Sequence, residues 1–259
     1  FRDNLYLGYN AETAMHAASL IKLPVMLEVL SQCDMAECDL DTRITLEATQ
    51  QVSGSGVLHA LGEGLALSIR DLVTLMMIVS DNTATNMLID HVGVRAINRR
   101  IQSLGLAKTR LVGKLQLSEE EQNREQRKGE RNTTCANAML ALLVKLQQSQ
   151  LMSDEMTQLA LNILHKQQFT EALARYLPTD AELADTNQGV RVASKSGCLR
   201  GVWHDAGLVS SLTGEPLYGL VIMTRDSRDR SFSFEQEGMM TIARLSKAIF
   251  EVYMYVPPS

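Results

Sequence analysis

Strand-like segments lie near both ends of the sequence, and the long middle of the chain reads as helices. Residues 5–10 resemble the end of a strand that turns at Gly8, and three more strand-like runs occupy 191–197, 203–212 and 216–225. A long amphipathic helix closes the chain. Strands from both ends can pair in one antiparallel sheet. We therefore predict a mixed α/β (α+β) fold, with the sheet flanked by helices and an all-helical subdomain inserted between its strands.

The middle of the chain carries clear helix signals. The apolar run at 72–79 is typical of a helix buried in a domain centre, and Ser68 with Asp71 forms a capping-box pattern before it. Two more helices are predicted after it, separated from each other at Gly93 and ended by Gly105. A further helix is predicted to start with Asn132 or a following threonine as its cap, and two shorter helices are predicted at 154–164 and 169–175. We predict one domain with two subdomains, 1–40 plus 186–259 being α/β and 41–185 all-helical.

Composition argues against two classes of protein. The net charge of −5, with 5% aromatic residues and no cluster of basic and aromatic side chains, argues against a nucleic-acid-binding surface. The longest apolar runs are far shorter than the roughly 20 residues of a membrane span. The first ten residues read as part of a fold and not as a signal peptide, so we expect any export signal to have been removed.

The four cysteines, Cys33, Cys38, Cys135 and Cys198, show no metal-ligand spacing, and the five histidines do not pair with them. We therefore expect neither a metal nor a cofactor. In an exported protein Cys33 and Cys38 could form a local disulfide, and free, mostly buried thiols are the alternative.

Ser19 and Lys22 stand three residues apart at the start of an apolar helix. This spacing places two side chains on one helix face, within reach of each other. A serine hydroxyl is a weak nucleophile until a neighbouring base takes its proton, and a lysine becomes such a base when burial or a nearby cation lowers its pKa. Such a pair is expected about once by chance in a chain of this length. The alternative is a helix start beside a lysine that extends to solvent.

Two further short motifs follow in a fixed order. Ser80-Asp81-Asn82 ends the buried helix, and Lys195-Ser196-Gly197 ends a strand. Ser80 lies 61 residues after Ser19, and Lys195 lies 115 residues after Ser80. Each alone is ordinary turn chemistry. Together with Ser19 and Lys22 they form the motif set of class A β-lactamases and penicillin-binding proteins. The chain thus resembles the serine β-lactamase and penicillin-binding-protein superfamily over nearly its whole length.

Three other segments support the resemblance. Thr109-Arg110-Leu111 is similar to the start of the family's omega loop, and Asn132-Thr133-Thr134 to its end. GVWHDAGLV at 201–209 is similar to the turn and strand that follow the lysine motif in related hydrolases.

The resemblance implies a catalytic role for four residues. Ser19 would attack a carbonyl and become acylated, and Lys22 would accept its proton directly or through water. Ser80 and Lys195 would carry that proton to the leaving nitrogen, and the charge of Lys195 would help to keep Lys22 neutral.

The resemblance also implies the binding residues. Asn82 would bond to the amide side chain of the substrate, and Ser196 would bind its carboxylate, with Arg200 as a further charge. The amides of Ser19 and Cys198 would form an oxyanion hole. Gly197 suits a strand edge along which an extended substrate lies.

One part of the family pattern is missing. Class A enzymes carry a glutamate in an E-x-x-L-N arrangement that activates the deacylating water, and this sequence has none. Counting without gaps from Thr109 places Leu115 at that position. The polar stretch 113–132 offers Glu119, Glu120, Glu121 and Glu125 as candidate bases, and nothing local distinguishes them. Acylation should proceed without a positioned base, whereas hydrolysis of the acyl-enzyme should be slow.

The leading hypothesis is a β-lactamase-like serine hydrolase that opens β-lactam amides through an acyl-enzyme on Ser19. The alternatives on the same fold are a D-alanyl-D-alanine carboxypeptidase or esterase, and a penicillin-sensing domain that stays acylated. A helical protein with coincidental motifs is the structural alternative. We expect a periplasmic or extracellular monomer whose partner is a small-molecule β-lactam or D-Ala-D-Ala-like substrate.

Overall fold

The structure is a computed structural model that describes residues 5–179 and 189–255. Its largest sheet is antiparallel and contains β5 (Val190–Leu199), β6 (Val202–Ser211) and β7 (Pro216–Met223) in that order. Two short strand pairs accompany it: β1 (Met15–His16) with β4 (Thr133–Thr134), and β2 (Arg43–Thr45) with β3 (Ala66–Ser68). The α-helices are α1 (Lys22–Asp34), α2 (Ile69–Ile78), α3 (Asn82–Val92), α4 (Val94–Ser103), α5 (Arg124–Arg127), α6 (Ala136–Gln147), α7 (Asp154–His165) and α8 (Glu237–Tyr255). The predicted mixed α/β fold class is confirmed.

Residues 5–10 form no strand, so the prediction of one sheet built from both ends of the chain is wrong for the described residues. Leu5, Leu7 and Tyr9 are 79%, 84% and 92% exposed. A strand needs a neighbouring edge to satisfy its backbone groups, and no described strand pairs with this segment. The three strand predictions near the C-terminus are confirmed.

Helix α1 lies in the centre of the helical part, because eleven of its thirteen residues are buried. Helix α2 starts at the predicted capping box: the amide of Asp71 donates to the Ser68 hydroxyl at 3.1 Å, and the amide of Ser68 donates to the Asp71 carboxylate at 3.2 Å. Both helices therefore hold the segments at their ends, where Ser19 and Ser80 lie, in fixed positions.

The sheet separates two packed clusters of apolar side chains. One face packs on the helical core through Ala193, Ala206 and Leu208. The opposite face carries Val190 and Val209 and packs against α8. Strand β5 is at the edge of the sheet, and this edge lies beside the turn that carries Ser19.

Two local predictions are wrong. Helix α6 starts at Ala136 after Cys135, which makes no side-chain cap, so neither Asn132 nor a threonine caps it. Residues 169–175 form turns and not a helix, and the amide of Leu173 donates to the carboxylate of Asp205 at 3.0 Å. That bond joins the segment to β6 in place of a helical hydrogen bond.

Strands β2, β3 and β4 lie within 41–185, the range predicted to be all-helical. The division into two subdomains stays a prediction. No helix in the described ranges has the length and apolar character to cross a membrane.

Candidate active site

Ser19 lies in a 3-10 turn, Ala18–Ile21, that leads directly into α1. Ala18 has φ of 44°, a left-handed conformation that costs on the order of 1 to 3 kcal/mol for a residue with a side chain. The surrounding bonds maintain it: the amide of Ala17 donates to the carbonyl of Asn132 at 2.8 Å, and the amide of Ala18 donates to Nδ1 of His16 at 3.0 Å. The nucleophile candidate is thus presented on a fixed, strained turn.

Gly197 allows β5 to pass against this turn. A Cβ atom added at Gly197 would lie 2.9 Å from the backbone nitrogen of Ser19 and 3.2 Å from that of Leu20. Backbone atoms cannot move aside as a flexible side chain does, so only glycine fits here. The close approach brings the end of β5, including Cys198, beside the amide of Ser19.

Lys22 is fully buried and its Nζ has three oxygen partners. It donates to the carbonyl of Ser80 at 2.7 Å, to the Ser80 hydroxyl at 3.0 Å and to Oδ1 of Asn82 at 2.9 Å. Burial first, and then the charge of Lys195, hold the pKa of Lys22 well below its usual value, while Asp81 and Cys198 oppose this effect. A neutral amine has two hydrogens and one lone pair. When Lys22 is neutral, the Ser80 hydroxyl can reverse direction and donate to Nζ.

Asp81 organises the loop above this site, a role that sequence reasoning did not assign. Its carboxylate accepts from the amides of Val57 at 2.6 Å, Leu58 at 2.9 Å and Ala84 at 2.9 Å. It thereby caps α3 and holds the loop that contains residues 53–58 against the start of α3. The preceding Ser80 has φ of 55°, so a second strained residue stands at the site.

Lys195 is also fully buried, and its Nζ donates to the carbonyl of Ser196 at 2.7 Å. Burial lowers the pKa of Lys195 to about 8, against the opposing effects of Asp205 and Cys198. Burial also raises the pKa of Asp205 to about 6. Two buried lysines, both with a lowered pKa, therefore lie near Ser19 and Ser80.

Two cavities meet at Ser19. The first, of about 270 Å³, is polar and lies under the 113–132 loop; its walls include Asn82, Leu115 and Asn132. The second, of about 200 Å³, lies on the other side and includes Ser80, Ser196 and Gly197. Ser19 and Cys198 line both cavities.

The structure brings eight of the nine predicted site residues together. Six of them line the two cavities: Ser19, Ser80, Asn82, Ser196, Gly197 and Cys198. The other two, Lys22 and Lys195, are fully buried, and this burial lowers the pKa of both amines. Arg200 is the exception, because it is exposed in the turn between β5 and β6 and lines neither cavity.

The loop at 113–132 is closed by side-chain amides. Oδ1 of Asn132 accepts from the amides of Val112 at 2.7 Å and Gly113 at 3.2 Å. Asn86 holds Leu115 from both sides: the amide of Leu115 donates to Oδ1, and Nδ2 donates to the carbonyl of Leu115, each at 2.8 Å. These bonds fix the backbone of Leu115, whose apolar side chain lines the same cavity as Ser19.

None of the four candidate glutamates lines the cavity at Ser19. Glu121 accepts from Ser118, Glu125 pairs with Arg110 at 2.6 Å, and Glu119 and Glu120 are exposed. The acidic residue that does line this cavity is Glu130, which sequence reasoning missed. The sequence feature that could have indicated Glu130 is its position two residues before Asn132, at the end of the loop.

The comparisons with known proteins agree with this architecture. A solved β-lactamase from Sphaerobacter thermophilus is 30% identical with a TM-score of 0.82, covering 99% of this chain and 90% of that one. The structure of PBP-A shares the fold, with 24% identity, a TM-score of 0.77 and coverage of 95% and 84%. β-Lactamase L2 of Stenotrophomonas maltophilia is 31% identical over 143 residues, which is 54% of this chain but only 45% of that protein.

The fold defines a β-lactamase-like protein. The family model described as the Beta-lactamase enzyme family matches residues 1–253, and the chain belongs to this family.

Proposed function

We propose that this chain opens β-lactam amides through an acyl-enzyme on Ser19. The supporting observation is that Lys22, a buried amine with a lowered pKa, bonds to Ser80 and Asn82 one turn from Ser19. Oγ of Ser19 attacks the lactam carbonyl while Lys22 takes its proton. The C–N bond then breaks, and the Ser80 hydroxyl passes a proton to the leaving nitrogen and receives one from Lys22.

The backbone amides of Ser19 and Cys198 bind the developing oxyanion in this proposal. Gly197 supports it, because its lack of a Cβ lets β5 approach the amide of Ser19. Preorganised donors of this kind contribute roughly 3 to 4 kcal/mol each to transition-state stabilisation in other enzymes. Lys195 remains charged below its pKa of about 8 and favours the neutral form of Lys22.

The substrate lies between the two cavities. Asn82 uses Oδ1 for Lys22, and Nδ2 donates to the carbonyl of Ser53 at 3.0 Å, which leaves one amide hydrogen for the acyl side chain of the substrate. Ser196 faces the leaving-group side. We assign no substrate contact to Arg200.

Release of the acyl group is the slow step in this proposal. Leu115 takes the position of the family's glutamate in the count from Thr109, and the acidic residue in the wall of the polar cavity is the exposed Glu130. A base that is neither buried nor fixed by bonds activates water poorly. Acyl-enzyme should therefore accumulate during turnover.

The direct test is intact-protein mass spectrometry after mixing with penicillin, alongside hydrolysis of a chromogenic cephalosporin. We expect an adduct of one penicillin on Ser19 within seconds to minutes, followed by slow recovery of the free mass. Ser19→Ala is the matched control and should show neither. Absence of both adduct and hydrolysis in the wild type would overturn the proposal. Release of D-alanine from a D-Ala-D-Ala peptide without β-lactam turnover would favour the carboxypeptidase alternative.

The pH dependence of acylation reports on the two lysines. The rate should rise with pH as Lys22 loses its proton, and fall again around pH 8 as Lys195 loses the charge that favours proton transfer through Ser80 to the leaving nitrogen. Lys195→Arg should move the falling limb to higher pH because arginine stays protonated. The measurement is the single-turnover acylation rate from pH 5 to 10. A wild-type rate that still climbs between pH 8 and 10 would contradict this role for Lys195.

We further propose an oxidising compartment, periplasmic or extracellular, where β-lactam opening would protect the cell. Cys33 and Cys38 form a disulfide, and Cys135 and Cys198 are free. Protein isolated with its thiols blocked on lysis should show two reactive thiols when denatured and four after reduction. Four thiols before reduction would place the chain in a reducing compartment.

A further inference from the structure

The side chain of His16 is bonded to the turn that carries the nucleophile. His16 lies in β1, and Nδ1 of its ring accepts from the amide of Ala18 at 3.0 Å. His16 also lines the polar cavity, together with Ser19. The motifs and the proposed mechanism give this histidine no role, although it contacts both the turn and the space beside the nucleophile.

The bond to Ala18 requires a neutral ring. An amide N–H only donates, so Nδ1 of His16 must present its lone pair, and the hydrogen of the neutral ring is then on Nε2. A protonated ring carries hydrogens on both nitrogens and has no lone pair for the amide. Burial first, and then His204 and Arg131, hold the pKa of His16 below its usual value. The bond is therefore present at neutral pH and lost in acid.

Ala18 needs such a bond because its backbone is strained. Its φ of 44° lies in the left-handed region, which residues with a Cβ atom rarely adopt. Two bonds to the turn oppose its relaxation: the amide of Ala17 donates to the carbonyl of Asn132, and the amide of Ala18 donates to His16. Relaxation at Ala18 would rotate the planar peptide group that joins it to Ser19, and the N–H of Ser19 belongs to that group.

The direction of the Ser19 amide matters to catalysis if the proposed function is correct, and the inference rests on that function. This amide is one of the two proposed oxyanion donors, and β5 passes close to it at Gly197. A donor stabilises an oxyanion only when its N–H points at the oxygen, because hydrogen bonds weaken steeply with misalignment. The bond between His16 and Ala18 therefore acts on an atom that takes part in the reaction.

The backbone of His16 has a separate contact. Its carbonyl lies 2.9 Å from Nε2 of His204, a fully buried residue opposite Gly197 in the ladder of β5 and β6. This contact does not use the side chain of His16. Substitutions at position 16 can therefore remove the ring nitrogen while they keep the backbone contact with His204.

Several other titratable or charged groups surround His16. They are His204 on β6, Cys198 on β5, and Lys114, Glu130 and Arg131 in the 113–132 loop. Lys22, on the helix that follows the turn, also gains a proton as the pH falls. An experiment on His16 must therefore compare proteins that all retain Lys22.

We propose that His16 is a positioning residue, whose ring nitrogen holds Ala18 in its left-handed conformation and thereby directs the amide of Ser19 at the oxyanion. Protonation of His16 breaks the bond to Ala18, so the amide of Ser19 loses its direction and acylation slows in acid. The same histidine thus couples the geometry of the turn to pH.

Two variants separate the ring nitrogen from the ring. In His16→Asn, Oδ1 can accept from the amide two residues further on, and it does not titrate. His16→Phe keeps a ring without an acceptor. At neutral pH we expect acylation by penicillin to be about fiftyfold slower in His16→Phe and within about threefold of wild type in His16→Asn. His91→Phe, which removes an exposed histidine from α3, is the control and should acylate as the wild type does.

The amide of Ser19 can be observed by NMR in the free protein, without a substrate. Labelling alanine with ¹³C at the carbonyl and serine with ¹⁵N selects serines that follow an alanine, and the chain has two, Ser19 and Ser194. We expect the Ser19 signal of the wild type to move further between neutral pH and about pH 5 than that of His16→Asn. Any shift caused by Lys22 appears in both proteins. The Ser194 signal should behave alike in both.

Equal movement of the Ser19 signal in wild type and His16→Asn would overturn the inference. Acylation of His16→Asn that is as slow as that of His16→Phe would do the same. The NMR comparison does not use His16→Phe, so it decides the question even if thermal unfolding shows that this variant is poorly folded. Failure of the proposed function is recognised separately: the wild type would then show no acylation, while the Ser19 signal still reports whether His16 controls this amide.

Discussion

Lys22→Met is expected to slow acylation of Ser19 by about a thousandfold or more, because the change removes the general base while keeping much of the side-chain volume. Lys22 has no exposed surface, and its three hydrogen bonds place Nζ among Ser80 and Asn82, next to the turn of Ser19. The other buried lysine among the described residues, Lys195, donates instead to the carbonyl of Ser196. The measurement is the rate of adduct formation with penicillin by stopped-flow quench and mass spectrometry.

The variant also leaves buried acceptors without a donor, which costs about 1 to 3 kcal/mol for each unsatisfied group. The thermal unfolding of the variant must therefore be measured together with its acylation rate, so that a loss of folding is distinguished from a loss of the base. Lys22→Arg, which keeps a permanent charge but cannot act as a base, should be as slow in acylation. Lys108→Met, on the exposed surface, is the control and should acylate as the wild type does. Acylation of Lys22→Met within about tenfold of wild type would show that the base lies elsewhere.

The candidate site could be predicted largely from the sequence because its residues lie in short motifs with fixed local geometry. The spacing of Ser19 and Lys22 sets their relation within one turn, and the capping box at Ser68 defines the start of the helix that leads to Ser80. What the motifs could not show is how far apart they lie in space. That distance depends on a contact between backbones, namely the approach of Gly197 to Ser19.

Features that depend on distant partners were predicted less well. Residues 5–10 have a strand-like pattern, yet a strand forms only when a neighbouring edge is available. Asn132 looks like a helix cap, but its amide is used by Val112 and Gly113, far away in the sequence. Leu173 belongs to a segment with a helix-like sequence, but its amide donates to the carboxylate of Asp205 and not to a helical carbonyl. A missing partner strand decides the first case, and a tertiary hydrogen bond overrides the local preference in the other two.

The charged stretch at 113–132 shows the same limit. Its glutamates are equivalent by composition, because a run of charges carries no periodicity that assigns one of them to the interior. The structure distinguishes them by the bonds of the loop: Glu121 and Glu125 have partners within the loop or at its base, and Glu130 reaches the cavity. The leucine at 115 is fixed by Asn86, which lies on α3 and one turn beyond Asn82.

Leu115→Glu is expected to accelerate release of the acyl group by about a hundredfold, since general base catalysis typically contributes a factor of 10² to 10⁴. Asn86 bonds to the backbone of Leu115 and not to its side chain, so the loop should hold a glutamate in the same position. The new carboxylate would then face Ser19 from the wall of the polar cavity. The measurement is the rate at which a preformed penicilloyl adduct disappears.

Leu115→Gln is the matched control, because glutamine has the shape of glutamate without its basicity. If the glutamine variant releases the acyl group as fast as the glutamate variant, polarity or loop loosening causes the change and not a base. If neither differs from wild type, Leu115 does not stand where water attacks the ester. Acceleration by glutamate alone, with acylation unchanged, would show that the fold already contains a site for the deacylating base and that this chain fills it with an apolar side chain. Slow release would then be a property of one residue on an otherwise complete hydrolase, and not of the 113–132 loop as a whole.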